Sequence, residues 1–278
     1  MKVIDRKNSI VVLKGAGEMA TGVAVRLKKS GFVKIAMLDI DRPHAVRRPV
    51  SFSETIYDSE SVVEGIKSTL VTDVTGVHEA WRKNQVAILV DPQWNFIAQV
   101  RPQVVIDAII AKKNLGTTLS DGTLVIALGP GFVAGIDAHR VIETMRGHDL
   151  GRVLESGTAI PNTGVPGTIG GHAISRVLRS PGAGVFETNH NIADMITADK
   201  VIGRVDGQDV VAQIDGVLRG LVRHGITVHK GMKLGDIDPR GQVQYCYSVS
   251  EKSRAIGGAV LEAILGYFDF AGEKSAPN

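Results

Sequence analysis

A glycine-rich turn near the start of the chain constrains the fold more than any other feature of the sequence. The apolar run Ile10 to Leu13 is typical of a buried strand, and apolar residues then recur at helical spacing from Met19 to Leu27. A second apolar run, Val33 to Leu38, follows and ends at Asp39. A strand, a helix and a strand within about 30 residues predict a right-handed βαβ unit and therefore a parallel sheet.

The turn itself has the G-x-G-x-x-A pattern of dinucleotide-binding proteins. In that pattern Gly15 permits the tight turn, Gly17 lets a pyrophosphate approach the backbone, and Ala20 allows close helix packing. Asp39 follows the second strand, where an acid binds a ribose hydroxyl. The pattern therefore predicts a nucleotide site, and the alternative is a glycine turn that only packs. Glu18 would compete with a phosphate at the helix N-terminus, which favours a ligand other than a standard dinucleotide.

Arginine side chains follow the second strand directly. Arg42, Arg47 and Arg48 lie in the run from Asp41 to Pro49. Ligands bind at the carboxyl edge of a parallel sheet, and a guanidinium forks onto phosphate or carboxylate. We therefore expect Arg47 and Arg48 to contact an anion near the glycine turn, the alternative being a solvated charged loop.

Further apolar runs predict more buried strands, in a sheet covered on both faces. They are Val86 to Val90, Val104 to Ile106 and Leu124 to Leu128. A second glycine turn, containing Gly129 and Gly131, follows the last run. It would lie on the same sheet edge as Gly15 and form a second wall for a ligand, although a plain strand-exit turn is equally compatible with the sequence.

Beyond about residue 180 the sequence changes to short strands separated by glycine turns. We therefore expect a Rossmann-like nucleotide-binding domain at 1–180 and a small β module at 181–278, closed by a last helix from Arg254 to Leu265. The stretch from Val210 to Asp238 resembles the later half of a biotinyl or lipoyl domain, a flattened β-barrel. Residues 207–209 occupy the place of its modified hairpin and contain no lysine. We interpret the module as a structural or docking barrel without a covalent cofactor.

Composition excludes several classes of protein. Lys and Arg number 32 against 29 Asp and Glu, an excess too small for a general nucleic-acid binder. The single cysteine, Cys246, excludes internal disulfides, and no Cys/His spacing is typical of a metal site. The longest stretch without strongly polar side chains, Leu124 to Ile136, is shorter than the ~18 residues that a membrane span requires. We expect a cytoplasmic homo-oligomer with no metal site and no nucleic-acid or membrane partner.

Two local predictions concern the second half of the chain. The pattern from His172 to Leu178 favours a helix, and the run Val243 to Ser248 favours a strand that carries Cys246. A sole cysteine is compatible with a carrier role as a reactive thiol, but free cysteines are usually small buried hydrophobes.

Seven segments spread through nearly the whole chain resemble the YqeB family. They are Gly15 to Gly22 with Asp39, Ala45 to Phe52, Leu128 to Phe132, Ile142 to Arg152, Thr163 to Gly167, Val217 to Leu221 and Lys233 to Arg240. The family is described as accessory proteins of the selenium-dependent molybdenum hydroxylase system. In its nucleotide-binding part it is distantly similar to XdhC-type maturation factors of xanthine dehydrogenase.

The resemblance implies a helper that handles a molybdenum cofactor, or the selenium destined for it, and delivers to an apo molybdenum hydroxylase. It carries over no catalytic residue, so enzymatic turnover stays an open question. The candidate ligands are NAD(P) and a molybdopterin dinucleotide, which share an anionic pyrophosphate. Two alternatives stay open: an NAD(P)-dependent oxidoreductase, and a non-catalytic nucleotide-sensing scaffold whose barrel docks a partner.

Overall fold

Short runs of buried aliphatic residues form a large sheet in the first part of the chain. The computed structural model describes residues 3–270. The strands of this part are β1 (Val3–Ile4), β2 (Ile10–Lys14), β3 (Lys34–Asp39), β4 (Glu60–Val63), β5 (Ile66–Leu70), β6 (Val86–Val90), β7 (Val104–Asp107), β8 (Leu124–Leu128), β9 (Val133–Ala134), β10 (Arg140–Ile142), β11 (Val153–Leu154) and β12 (Gly157–Thr158). The α-helices are α1 (Glu18–Lys29), α2 (Thr55–Asp58), α3 (Val74–Arg82), α4 (Asn95–Val100) and α5 (Glu251–Tyr267).

Nine of these strands form one sheet in the order β11-β10-β8-β7-β2-β3-β6-β5-β4. The seven strands from β10 to β5 are parallel, and β11 and β4 add an antiparallel strand at each edge. The predicted mostly parallel α/β sheet is therefore confirmed. Because the chain builds from β2 towards β6 and then returns to β7, the switch point of the sheet lies between β2 and β7.

Helices cover the sheet. The helix α1 packs against α5 at two glycines, since a Cβ on Gly22 would lie 2.7 Å from the Cβ of Ser253, and one on Gly257 would lie 2.9 Å from the carbonyl oxygen of Gly22. Elsewhere Val77 of α3 and Phe96 of α4 share a core cluster with the buried strand residues Val12, Val105 and Val125.

The second part of the chain contains two four-stranded antiparallel sheets, in the orders β13-β20-β18-β15 and β17-β16-β14-β19. Their strands are β13 (Val177–Arg179), β14 (Gly184–Glu187), β15 (Met195–Ile196), β16 (Val201–Val205), β17 (Gln208–Val211), β18 (Gly216–Leu221), β19 (Thr227–Val228) and β20 (Lys233–Asp238). Phe186, Leu218 and Leu234 are fully buried in their common core. The last strand, β21 (Asp269–Phe270), pairs with β1.

The chain divides into two compact units at other places than the expected boundary near 180. The first unit contains the chain up to Pro43, the segment Phe52–Asn162 and the chain from Val249 onward, and the second contains His44–Ser51 and Thr163–Ser248. The last helix, which was expected in the β module, thus belongs with the parallel sheet. It does so because its glycine face packs on α1.

Two local predictions were wrong. In place of a helix from His172 to Leu178 the chain has a bridge between Ile169 and His172 and then the strand β13. Gly170 and Gly171 have positive φ angles, which end any helical continuity there. Cys246 ends a 3₁₀ helix, Val243–Cys246, and does not lie in a strand. No helix within residues 3–270 is long and apolar enough to span a membrane.

Candidate functional site

The glycine turn lies between β2 and α1, beside the switch point of the sheet. Gly15 has φ +92°, and its N–H donates to the carbonyl oxygen of Leu38 at 2.6 Å. A Cβ on Gly15 would lie 3.2 Å from the Cα of Ile109, just after β7. Gly15 is therefore required both by its backbone conformation and by the close approach of the β7 segment.

Gly17 has a different environment. It is the N-cap of α1 with φ −69° and ψ −174°, and no side chain caps the helix there. A Cβ built on Gly17 would have no neighbour within 4 Å. The first turn of α1 therefore opens onto free space, and its N–H groups and dipole favour an anion.

Asp39 ties the end of β3 to this turn. One carboxylate oxygen accepts the N–H of Ala16 at 2.8 Å and the other accepts the N–H of Ile40 at 2.8 Å. Burial raises the pKa of Asp39, and these two hydrogen bonds only partly oppose the effect. The structure thus brings Gly15, Gly17 and Asp39 together, with Ala20 buried behind them in α1.

Ser53 is a residue of the turn region that the sequence pattern did not indicate. Its N–H donates to the carbonyl oxygen of Ala16 at 2.8 Å, and the neighbouring N–H of Phe52 donates to Thr21 at 2.8 Å. The Ser53 hydroxyl is buried and has no hydrogen-bonding partner among the residues described. A buried hydroxyl without a partner, next to an uncapped helix end, is a polar group available to a ligand.

Charged and polar side chains from distant parts of the chain lie near the start of α1. The Ser253 hydroxyl of α5 donates to the carbonyl oxygen of Glu18 at 3.3 Å. Burial and Arg146 lower the pKa of the adjacent Lys252, Glu18 and Glu143 raise it, and Lys112 adds a smaller lowering effect. These three cations are too far from the turn in sequence for a local motif to indicate them.

Arg47 and Arg48 belong to the second unit. The Arg47 guanidinium is buried and donates to the carbonyl oxygens of Tyr245 at 2.8 Å and Ser248 at 3.1 Å. Arg48 donates through Nε to the carbonyl oxygen of Leu221 at 2.7 Å. Both therefore have local structural partners, and the anion contact expected from the sequence stays a prediction.

The second glycine turn is explained by packing. Gly129 and Gly131 have φ +80° and +105°. A Cβ on Gly129 would lie 2.6 Å from Oγ1 of Thr144, and one on Gly131 would lie 2.5 Å from the Cα of Lys113. Any side chain at either position would thus collide with a neighbouring segment. A role for this turn as a ligand wall stays a prediction.

The chain is similar to one curated protein over nearly all of its length. It is 44% identical over 258 residues to the uncharacterized protein YqeB of Escherichia coli (strain K12), and the match covers 93% of this chain and 48% of that protein. The chain thus spans about half the length of this relative. The match supports the resemblance to the YqeB family, and no protein-family profile matches the chain.

Likenesses among solved structures are distant. TcdA (CsdL) is 13% identical with a TM-score of 0.30, covering 94% of this chain and 88% of that one. A succinylglutamate desuccinylase/aspartoacylase from Rhodobacter sphaeroides is 18% identical with a TM-score of 0.21, covering 23% of this chain and 22% of that one.

Proposed function

We propose that this chain, a homologue of YqeB, is an accessory protein of a selenium-dependent molybdenum hydroxylase and binds a nucleotide-type ligand at the turn from Gly15 to Ala20. The observation that carries the binding proposal is the free space in front of Gly17, where the uncapped end of α1 meets the switch point of the sheet. The hydroxylase role rests on the resemblance to YqeB. A molybdopterin dinucleotide and NAD(P) are the candidate ligands.

The residues present fit a pyrophosphate. The first-turn N–H groups of α1 would donate to the phosphate oxygens, and a side chain at position 17 would fill the space that the phosphates need. Lys252 would supply positive charge, since it interacts electrostatically with Glu18 in the first turn of α1. Asp39 would accept a hydrogen bond from a ribose hydroxyl, as in NAD-binding sheets.

In this proposal the second unit docks a partner. Its two antiparallel sheets would form a small barrel of the biotinyl or lipoyl kind, and the turn at Asp206 and Gly207 contains no lysine to modify. We expect the unmodified chain mass, an apo molybdenum hydroxylase as the partner, a homo-oligomer and a cytoplasmic location. The alternative of an NAD(P)-dependent oxidoreductase is favoured by the position of Asp39 after the second parallel strand.

Calorimetry tests the binding proposal. We expect wild-type protein to bind at least one of NAD, NADP and molybdopterin cytosine dinucleotide, and Gly17→Val to abolish binding without unfolding, because position 17 has open space and a negative φ. Gly258→Val is the matched control, since Gly258 also has open space but lies inside α5. Failure of the wild type to bind any of these ligands, or equal binding by Gly17→Val, would contradict the site.

A second experiment tests the hydroxylase role separately. Deletion of the protein in its host should abolish the activity of a selenium-dependent molybdenum hydroxylase, and wild-type protein should restore it. If Gly17→Val protein also restores the hydroxylase activity, maturation does not depend on nucleotide binding at this turn. Normal hydroxylase activity in the full deletion would refute the maturation proposal and leave the binding proposal standing.

A further inference from the structure

A cavity of about 790 Å³ lies in the first unit, and none of the residues from Gly15 to Ala20 lines it. One wall comes from α4 and its flanks, including Trp94, Ile97 and Arg101, and the other comes from the segment around Asp121. Lys14, the last residue of β2, also lines it. Val12, two residues earlier in the same strand, packs with α3 and α4, so Lys14 points to the sheet face that these helices cover. A cavity of this size accommodates a small organic molecule.

The buried Lys14 makes three close contacts at the polar end of the cavity. Its ammonium group is 2.6 Å from a carboxylate oxygen of Asp121, 2.8 Å from Oγ1 of Thr117 and 3.9 Å from the ring centroid of Trp94. Thr117 in turn donates to the carboxylate of Asp107 at 2.7 Å. Lys14 and Asp121 form an ion pair at this end of the cavity, and Asp107 is a second, fully buried carboxylate behind Thr117.

Arg101 is the exposed cation of the cavity lining. The lining contains two cations, Lys14 and Arg101, and one carboxylate, Asp121. The Arg101 side chain is exposed and makes no hydrogen bond or ion pair with any residue from 3 to 270. It therefore has its full set of donors available to an anion at the mouth of the cavity.

The backbone on both sides of α4 is strained. Trp94 has φ 60° and ψ 29°, and Arg101 has φ 45° and ψ 68°, so two large residues that line the cavity adopt left-handed conformations. Such conformations are disfavoured outside glycine and cluster at ligand sites. Here they place the Trp94 indole and the Arg101 side chain at opposite ends of a short helix beside the same cavity.

We propose that this cavity binds a small organic anion whose carboxylate or phosphate group is held by Arg101 and whose flat carbon skeleton packs between Trp94 and Ile97. The Lys14–Asp121 pair hydrogen-bonds a polar group of the ligand at the inner end. The site lies on the sheet face that α3 and α4 cover, and its ligand needs no nucleotide moiety.

The test uses benzoate and phenyl phosphate as probes, in calorimetry with full-length protein, with inorganic phosphate and benzyl alcohol as comparisons. At least one of the two aryl anions should bind with one-to-one stoichiometry and at least tenfold more tightly than inorganic phosphate or benzyl alcohol. Preference for benzoate or for phenyl phosphate identifies the head group. Equal affinity for the charged and neutral aryl probes would overturn the proposal, as would no binding of either anion.

Two variants localise the binding. Arg101→Asn should weaken the aryl anion at least tenfold, and asparagine tolerates the left-handed backbone at this position. Arg82→Asn, on the exposed last turn of α3, should leave the affinity unchanged. In Trp81→Phe protein the remaining tryptophan, Trp94, should change its fluorescence on saturation. Unchanged affinity in Arg101→Asn would refute the site even if the protein binds the probe.

Discussion

Two aspartates at the carboxyl edge of the parallel sheet, Asp39 and Asp107, are largely removed from water. Burial raises the pKa of Asp39 and of Asp107, and the hydrogen bonds that each accepts only partly offset it. Both side chains lie next to the switch point, at the ends of β3 and β7. Each carboxylate also accepts hydrogen bonds that hold the ends of these strands, so the raised pKa values mark a balance between burial and local structure at the ligand-binding edge of the sheet.

The raised pKa of Asp39 predicts how Asp39→Asn changes the pH dependence of the free energy of unfolding. The folded-state pKa of Asp39 lies above its ordinary value of 3.8, so the folded protein binds more protons and wild type loses stability as pH rises from 3.8 through the raised pKa. The free energy of unfolding of Asp39→Asn, relative to wild type, should therefore increase across that interval. Urea denaturation from pH 3.5 to 8 measures it. A relative loss of stability for the variant at high pH would contradict this account.

Arg47 provides a second residue-scale prediction. Arg47→Ala should lower the free energy of unfolding by about 1.5–3 kcal/mol, because it removes the two hydrogen bonds that the buried guanidinium donates to the carbonyl oxygens of Tyr245 and Ser248. The exposed Arg42 is the matched control, and Arg42→Ala should change stability by less than about 0.5 kcal/mol. Unchanged stability of Arg47→Ala together with weaker nucleotide binding would instead favour the anion role expected from the sequence.

At the scale of elements, the continuous apolar runs predicted strands correctly. The glycine-rich segments did not predict the secondary structure that is observed there. The strands Val86–Val90 and Leu124–Leu128 have the bounds expected from the sequence, because uninterrupted apolar runs of that length have few other places to be buried. The stretch around His172 has helix-compatible residues, but Arg176 forms an ion pair with Asp236 on β20, and the strand β13 that follows pairs with β20. Tertiary contacts of this kind leave no local signal.

The glycine turn and the cavity lined by Lys14 and Asp121 differ in the same way. Gly15, Gly17 and Asp39 were predicted because the strand, turn and helix that hold them are contiguous in sequence. Lys14 and Asp121 were not, since a lysine at the end of an apolar strand carries no indication of a partner 107 residues away. Contacts between remote segments are decided by the packing of whole elements.

The contact between α1 and α5 predicts opposite effects for two adjacent glycines. Gly257→Ala should lower the free energy of unfolding by about 1–3 kcal/mol, because its Cβ would press on the Gly22 backbone. Gly258→Ala should raise it by up to about 1 kcal/mol, since Gly258 has open space and alanine is the better helix former. Thermal or urea denaturation compares the two variants directly. Equal effects would show that the helices are packed differently.

At the scale of the whole molecule, the pKa values of the buried aspartates are shifted in opposite directions in the two units, raised in the first and lowered in the second. In the second unit, Arg176 and Arg219 form ion pairs with Asp236, and Arg219 also pairs with Asp238. Burial by itself would raise the pKa of Asp236, but Lys233, Arg219 and Arg176 outweigh it and lower the pKa. Arg240 and Arg219 likewise lower the pKa of Asp238 against the effect of burial. These carboxylates stabilise the fold only while they are ionised.

Cys246 is a natural reporter for this unit. It is the single cysteine of the chain and is fully buried. Burial raises the pKa of its thiol, and Arg47 and Arg219 only partly oppose that effect. A buried thiol with a raised pKa is poorly suited to a carrier role, so Cys246→Ser should leave hydroxylase maturation largely intact. The thiol should react with a disulfide reagent only when the second unit opens.

Acid should therefore unfold the second unit before the first. The lowered pKa values of Asp236 and Asp238 mean that their stabilisation is present above the ordinary value of 3.8 and is lost as pH falls through the folded-state pKa. Asp39 and Asp107 have the opposite sign, so the first unit gains stability from them over the fall towards 3.8.

Two probes separate the units during that titration. The chain has two tryptophans, Trp81 and Trp94, both in the first unit, so tryptophan fluorescence follows the parallel sheet. Labelling of Cys246 by 4,4′-dithiodipyridine, which reacts in acid, follows the second unit. We expect Cys246 to become reactive at a higher pH than the midpoint of the fluorescence change. If the two signals instead change at the same pH, the two units unfold in one cooperative step, and the buried ion pairs of the second unit do not make it the first to unfold.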